Sequence, residues 1–196
     1  MELVIARHGQ THANAEGIWQ GVYDSELTEL GIRQIESLGK KLSGHKIQKI
    51  YCSDLGRSAK TAILYDQHYN CDINITKLLR EVNFGDWENR KRAELEKSPL
   101  WETYIRDRYG FVFPRGESYR QAREKRAREL LGKIMKGKEK RVMLVGHYGI
   151  NICILGEMLG LAGNRIFELE MPNRCAYIIN LGEMNEAKKV CSEIES

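Results

Sequence analysis

Apolar residues along the chain fall into short, fully apolar runs that alternate with longer stretches in which they recur every three or four positions. The first run, Leu3 to Ala6, is partly β-branched and stops at Arg7-His8-Gly9, which predicts a buried strand with polar chemistry at its carboxyl end. After a Thr28 N-cap, Ile35, Leu38 and Leu42 follow at spacings of three and four, with lysines and Gly44 at the close, the pattern of an amphipathic helix. Ile47 to Cys52 predicts the next strand. Ser53-Asp54-Leu55-Gly56-Arg57-Ser58 then opens a second helix whose apolar face is small, consisting of Ala59, Ala62 and Ile63. Ile73 and Ile75 mark a third strand, and Glu117 to Lys136 is a run of helix formers. Arg141 to His147 is another buried strand ending at a histidine, followed by a helix over Ile150 to Leu161 and a last strand over Cys175 to Leu181. Residues 183–196 carry no predicted element.

Strands alternating with helices predict an α/β fold with a mostly parallel sheet covered on both faces, and such sheets bind ligands beyond the carboxyl ends of their strands. His8 and His147 both stand at such ends. Between the third strand and the long helix, residues at about 82–116 lose all sustained period and become rich in aromatics, with Ser98-Pro99 and Pro114-Arg115-Gly116 as punctuation. They read as an inserted cap facing the substrate, in which Phe84, Trp87, Trp101, Tyr104, Tyr109, Phe111 and Phe113 form either an apolar wall or, for some of them, the cap's own core. With 196 residues, no internal repeat and no linker, the chain reads as one domain over 1–196.

Composition narrows the class: 42% hydrophobic and 30% charged residues are globular proportions, and a formal charge of +4 is modest. No apolar stretch reaches the roughly 20 residues of a membrane span, and Met1 to His8 has no basic leader, so neither a membrane partner nor export is expected. The five cysteines, Cys52, Cys71, Cys153, Cys175 and Cys191, include no C-x-x-C pair and read as small buried hydrophobes in a reducing, cytoplasmic compartment.

The H-E-x-x-H, Walker and dinucleotide-binding motifs are all missing, so no metal and no cofactor is expected. What remains is Arg7-His8-Gly9 after one strand, Arg57 at a helix start, Glu81 entering the cap and His147 after a late strand. Those are the parts of a phosphoryl-transfer site. A neutral imidazole is a competent nucleophile when a hydrogen bond on its other nitrogen fixes the tautomer, which suits His8. A transferring phosphoryl group spreads negative charge over its oxygens, and Arg7, Arg57 and His147 can clamp it. One carboxyl group can protonate the leaving oxygen and later activate water; Glu81 is the candidate, with Asp86 and Glu88 as neighbours in the same text. A single histidine after a strand is more often a packed core residue, so the grouping carries the weight. His12 edges the same loop, whereas His45 and His68 read as solvated.

The set Arg7-His8-Gly9-Gln10-Thr11 with Asn14, Ser53-Asp54-Leu55-Gly56-Arg57, Glu81 with Phe84-Gly85-Asp86-Trp87-Glu88, and Gly146-His147-Tyr148-Gly149 resembles the histidine phosphatase superfamily in its phosphoglycerate-mutase-like branch. Pro114-Arg115-Gly116-Glu117-Ser118 fits the same branch. The resemblance implies a three-layer α/β/α sandwich, a transiently phosphorylated His8, and a phosphate pocket of Arg7, Arg57, Asn14 and His147. It further implies Glu81 as proton donor and acceptor, and Gln20-Gly21 as a substrate contact; Tyr148 is bulkier than the residue often found there and shapes the pocket. Mutases of the branch resemble a longer chain with Glu-Arg-His-Tyr-Gly after the acid, whereas Val82-Asn83-Phe84-Gly85-Asp86 follows here. A phosphatase is expected, with text similar to the α-ribazole-5'-phosphate phosphatases, acting on a small phosphorylated metabolite. Its oligomeric state stays open, a homodimer among the options.

Three rivals remain at this stage: phosphoglycerate-mutase-type transfer, a silent binder of phosphorylated ligands, and a nucleic-acid module. The last draws on Arg115 to Arg141, where eleven Lys or Arg face four Glu. Those charges are interspersed around a helix, so no nucleic-acid partner is expected.

Overall fold

In the computed structural model, which describes residues 1–182 and 186–194, the apolar runs become strands and the periodic stretches helices. In chain order these are β1 Glu2–Arg7, α1 His12–Ala15, β2 Ile18–Trp19, α2 Glu29–Leu42, β3 Lys49–Ser53, α3 Gly56–Asp66, β4 Asp72–Thr76, β5 Arg90–Lys91, α4 Arg92–Leu95, α5 Trp101–Arg106, α6 Tyr119–Ala122, α7 Arg128–Met135, β6 Arg141–Gly146, α8 Tyr148–Met158, β7 Cys175–Asn180 and β8 Glu186–Cys191. Six strands form one sheet in the order β4-β3-β6-β1-β7-β8, and β2 pairs only with β5. The first four of that order run parallel; β7 and β8 are added antiparallel at one edge.

Successive side chains of each strand point to opposite sides, and the central strands β1, β6 and β7 are buried on both faces. Val4 and Ala6 of β1, with Ile50, Cys52, Met143 and Val145, pack under Ile35, Leu38 and Leu42 of α2 and Ala62 and Tyr65 of α3. Leu3 and Ile5, with Val142 and Leu144, face α7 and α8 through Leu130, Ile134, Ile150 and Ile154. The result is the three-layer arrangement expected. Thr28 caps α2 by accepting from the Gly31 N–H, and Lys40 and Lys41 lie in its last turn, favourable to the helix dipole.

Three local readings change. The helix expected over Glu117 to Lys136 begins at a Ser118–Gln121 capping box and is interrupted by a π turn at Arg123–Ala127. The π turn brings Arg123 onto Glu157 and the carbonyls of Gly156 and Leu161, a tertiary demand that sequence period does not encode. The tail contains β8, whose half-buried edge position gives it a weak pattern; of the unassigned residues, 183–185 and 195–196 lie outside those described. Cys175 and Cys191 face each other across the β7–β8 ladder and form a disulfide. The reading of all five cysteines as unpaired hydrophobes therefore fails for these two, and with it the cysteine-based support for a reducing compartment. Cys52 and Cys153 are free and buried, and Cys71 is free and half-buried. Among the described residues no helix is long and apolar enough to cross a membrane.

The disulfide closes a loop with a sequence separation of 16, for which restriction of the unfolded chain is worth about 3 kcal/mol. Replacing both cysteines by serine is expected to lower unfolding stability by about that amount, and reductant should lower the wild type equally. Denaturant unfolding with and without a dithiol checks this. No change in either case would show that the pairing adds no stability.

Candidate active site

The carboxyl ends of β1 and β6 lie side by side, with Arg7 opposite Gly146, and the chain beyond each carries one of the two histidines. The His8 N–H donates to the Gly146 carbonyl (2.9 Å), locking the two loops together. The rings of His8 and His147 are 5.0 Å apart and almost wholly buried, at 2% and 0% exposure. His8 Nδ1 lies 2.7 Å from the Gly9 carbonyl oxygen; a carbonyl only accepts, so Nδ1 carries the proton and Nε2 keeps its lone pair. Burial, then the charges of Arg57 and Arg7, hold the His8 ring well below the ordinary histidine pKa. Burial, Arg57, His8 and Arg7 do the same for His147. Neither ring nitrogen of His147 has a hydrogen-bond partner.

Arg57 enters at the start of α3 and is 2% exposed. Its guanidinium donates from Nη2 to the Gly21 carbonyl (2.7 Å) and from Nη1 to the Tyr23 carbonyl (2.8 Å) and Asp24 (2.9 Å), while Nε has no partner. Gly21 sits at φ +54, and a Cβ there would come within 2.1 Å of Glu88, so only glycine presents that carbonyl to Arg57. Arg7 donates to the Met171 carbonyl (3.2 Å), lies 5.7 Å from the Tyr148 ring centroid and leaves its Nε unpartnered. Two guanidiniums with buried, unpartnered Nε–H groups beside two imidazoles make a cationic pocket suited to an anionic group.

Glu81 is 7% exposed and is held at the start of α8. It accepts from the N–H groups of Val82 (2.8 Å), Gly149 (3.0 Å) and Ile150 (3.2 Å). A Cβ on Gly149 would meet Glu81 Oε1 at 2.6 Å, so the glycine after Tyr148 is what lets the carboxyl reach the helix end. Asp86 is instead paired with Arg115, and Glu88 accepts from the Val22 and Phe84 N–H groups.

A cleft of about 420 Å³ opens over these groups, and Arg7, Asn14, Gln20, Gly21, Arg57, Glu81 and Tyr148 all line it. The structure thus gathers in one place every site residue picked from sequence, with the histidine pair buried beside it. His12 is exposed and does not line the cleft, His45 approaches Glu2 (3.0 Å), and His68 packs over Gly39. The expected aromatic wall is smaller than read: only Phe84 and Tyr104 of that group line the cleft. Trp87 and Phe113 are 2% and 0% exposed; Trp87 packs edge-on against Phe113 and Tyr104, and Phe113 lies tilted against Tyr104, forming the segment's own core. Trp19, Tyr119 and Tyr148 supply the other aromatic rings, and Arg108, over the Phe167 ring at 3.8 Å, a further cation.

Thr61 and Asn173 carry no signal in the sequence. The Thr61 hydroxyl accepts from the Gly9 N–H (3.0 Å) and donates to the Arg57 carbonyl (2.7 Å); Asn173 donates to the His8 carbonyl (2.8 Å). Each is brought in by tertiary contact, at a distance along the chain that no local pattern records.

Chemically, the arrangement offers cationic clamps and a fixed carboxyl lining one cleft, with an imidazole of fixed tautomer buried beside them. An "Adenosylcobalamin/alpha-ribazole phosphatase" of Escherichia coli K12 is 26% identical over 93% of this chain and 91% of its own length. A protein of Proteus mirabilis named "Probable phosphoglycerate mutase GpmB" is 32% identical over 88% and 81%. The solved structure of mycobacterial glucosyl-3-phosphoglycerate phosphatase with VO3 is similar at a TM-score of 0.86 and 24% identity, covering 99% of each chain. The sequence as a whole, over residues 3–192, matches one family, and the chain belongs to it: the histidine phosphatase superfamily, branch 1.

Proposed function

We propose that this chain, a phosphoric monoester hydrolase by family, cleaves a small phosphorylated metabolite without a metal, by double displacement through phospho-His8. The observation that carries the reading is the commitment of His8 Nδ1 to the Gly9 carbonyl, which aims a lone pair from Nε2 in the company of Arg7 and Arg57. Nε2 attacks phosphorus, the N–P bond forms as the ester P–O bond breaks, and Glu81 gives its proton to the departing oxygen. Water then attacks phosphorus, the N–P bond breaks, and its proton goes to Glu81, which restores the starting state. Arg7, Arg57 and His147 stabilise the equatorial oxygens, while Asn14, Gln20, Gly21 and Tyr148 line the approach.

α-Ribazole-5'-phosphate is the substrate to try first: the text after Glu81 resembles that subgroup, a relative bears the name, and Trp19, Phe84 and Tyr104 in the cleft suit a flat heterocycle. The second reading is phosphoglycerate-mutase-type transfer, favoured by the 32% identity to the Proteus mirabilis protein. Nucleic-acid binding is disfavoured because Arg123, Arg126, Arg128 and Lys133 of the basic run are engaged by Glu157, Glu117 and Glu129.

The test is hydrolysis of an aryl phosphate in excess chelator, then kcat/KM across α-ribazole-5'-phosphate, sugar phosphates and phosphoglycerates. Chelator-resistant release of phosphate is expected. Isomerisation of phosphoglycerate without phosphate release would replace the hydrolase by the mutase. Arg57→Ala is expected to lower kcat/KM by the equivalent of about 2 to 4 kcal/mol, the cost of losing one preorganised donor, and full activity in that variant would sink the proposed clamp.

A further inference from the structure

The turn that enters β7 reaches back under the cleft. Asn173 Nδ2 lies 2.8 Å from the His8 carbonyl oxygen and 3.3 Å from Asn14 Oδ1. Both amide orientations are fixed by backbone partners. The His8 carbonyl can only accept, so the Asn173 atom facing it is the NH2 group. The Thr11 N–H can only donate, so the Asn14 atom 3.2 Å from it is the oxygen. Asn14 Oδ1 therefore takes two N–H donors, and its own NH2 group is the end left for a ligand in the cleft that Asn14 lines.

The base of the turn is held firmly. The Arg174 carbonyl accepts from the Ser192 N–H (2.8 Å), Arg174 Nη1 donates to the Ser192 carbonyl (3.2 Å), and the next residue, Cys175, is bonded to Cys191. A polar group presented from such a braced turn can hold a neighbouring side chain in one rotamer and one flip state.

We propose that Asn173 is a positioning residue: by donating to Asn14 Oδ1 it fixes the Asn14 amide with its NH2 group turned toward the bound phosphoryl group. It touches no substrate itself. The assignment rests on the phosphate site described above. It goes beyond the residues that carry the resemblance, because Asn173 lies outside every one of those stretches.

The experiment is a double-mutant cycle of Asn173→Ala and Asn14→Ala, read by the dissociation constant of inorganic phosphate in calorimetry and by kcat/KM for an aryl phosphate. Each single variant is expected to weaken phosphate binding by about tenfold, the worth of one buried hydrogen bond, and the double variant no more than Asn14→Ala alone. A merely structural role would leave the two effects multiplicative, and that result, or a silent Asn173→Ala, overturns the proposal. Should Asn173→Ala fail to fold, Asn173→Ser repeats the cycle, since it keeps a polar side chain but lacks the Nδ2 group that faces both oxygens. If the wild type binds phosphate but turns over no ester, the hydrolase reading falls and the cycle still decides the role of Asn173. If it binds no phosphate at millimolar concentration, both fall.

Discussion

Replacing His8 by alanine is expected to lower aryl phosphate turnover by at least about four orders of magnitude, on the scale seen when a covalent nucleophile is deleted. The fold should survive, because the bond that joins the two strand ends is made by the His8 backbone N–H and not by the ring. Burial keeps His8 and His147 neutral, so the folded chain takes up these protons only well below the ordinary histidine pKa of 6.5, whereas the unfolded chain takes them up near it. Stability from this source is full above about pH 6.5 and falls as pH drops toward the lowered folded values. His8→Ala removes one of the two rings and should flatten that acid decline, which thermal unfolding between pH 5 and 8 reads directly. Turnover retained in the variant would move the nucleophile elsewhere, and an unchanged acid decline would mean that the His8 ring does not titrate as its burial demands.

Much of the site could be read from sequence because its parts sit at element boundaries. Arg7 and His8 follow the last apolar residue of β1, His147 follows β6, and Arg57 starts α3, so a periodicity break marks each one. Glu81 is singled out from Asp86 and Glu88 only by the resemblance of its text to the family's, and its anchorage on the first turn of α8 is not legible at all, since that contact spans 68 and 69 residues. Thr61 and Asn173 were invisible for the same reason: each reaches the His8 loop from a distant element, at separations of 52 and 165. The aromatics of residues 82–116 show the converse. Composition identified an apolar cluster, but Trp87 and Phe113 turn inward against each other, because rings that can pack edge-on do so before they face water. The antiparallel edge and its disulfide lay in a stretch whose pattern is weak, since no position of β8 is fully buried.

Glu81→Gln divides the two half-reactions. Without a general acid, an alkyl phosphate, whose leaving oxygen needs a proton, is expected to react about two to four orders of magnitude more slowly. A nitrophenyl phosphate leaves without that proton, so His8 should still be phosphorylated; the following attack of water lacks its base. The variant should therefore release a burst of about one nitrophenol per active site and then stall with phospho-His8 accumulated, a species detectable by its acid lability in quenched samples. Glutamine keeps the size of the side chain but turns one acceptor into a donor against the N–H groups of Val82, Gly149 and Ile150, so a displaced side chain is the competing explanation. Displacement would slow phosphorylation of His8 by both esters alike and leave no burst. A burst with the aryl ester, together with slow reaction of the alkyl ester, assigns the proton to Glu81. Equal loss with both esters and no phosphoenzyme would leave Glu81 as a brace for the start of α8 and return the acid role to another group. Asp86→Asn and Glu88→Gln are the controls. Asp86 faces Arg115, Glu88 accepts from the Val22 and Phe84 N–H groups, and neither carboxyl lines the cleft, so neither change should produce the burst.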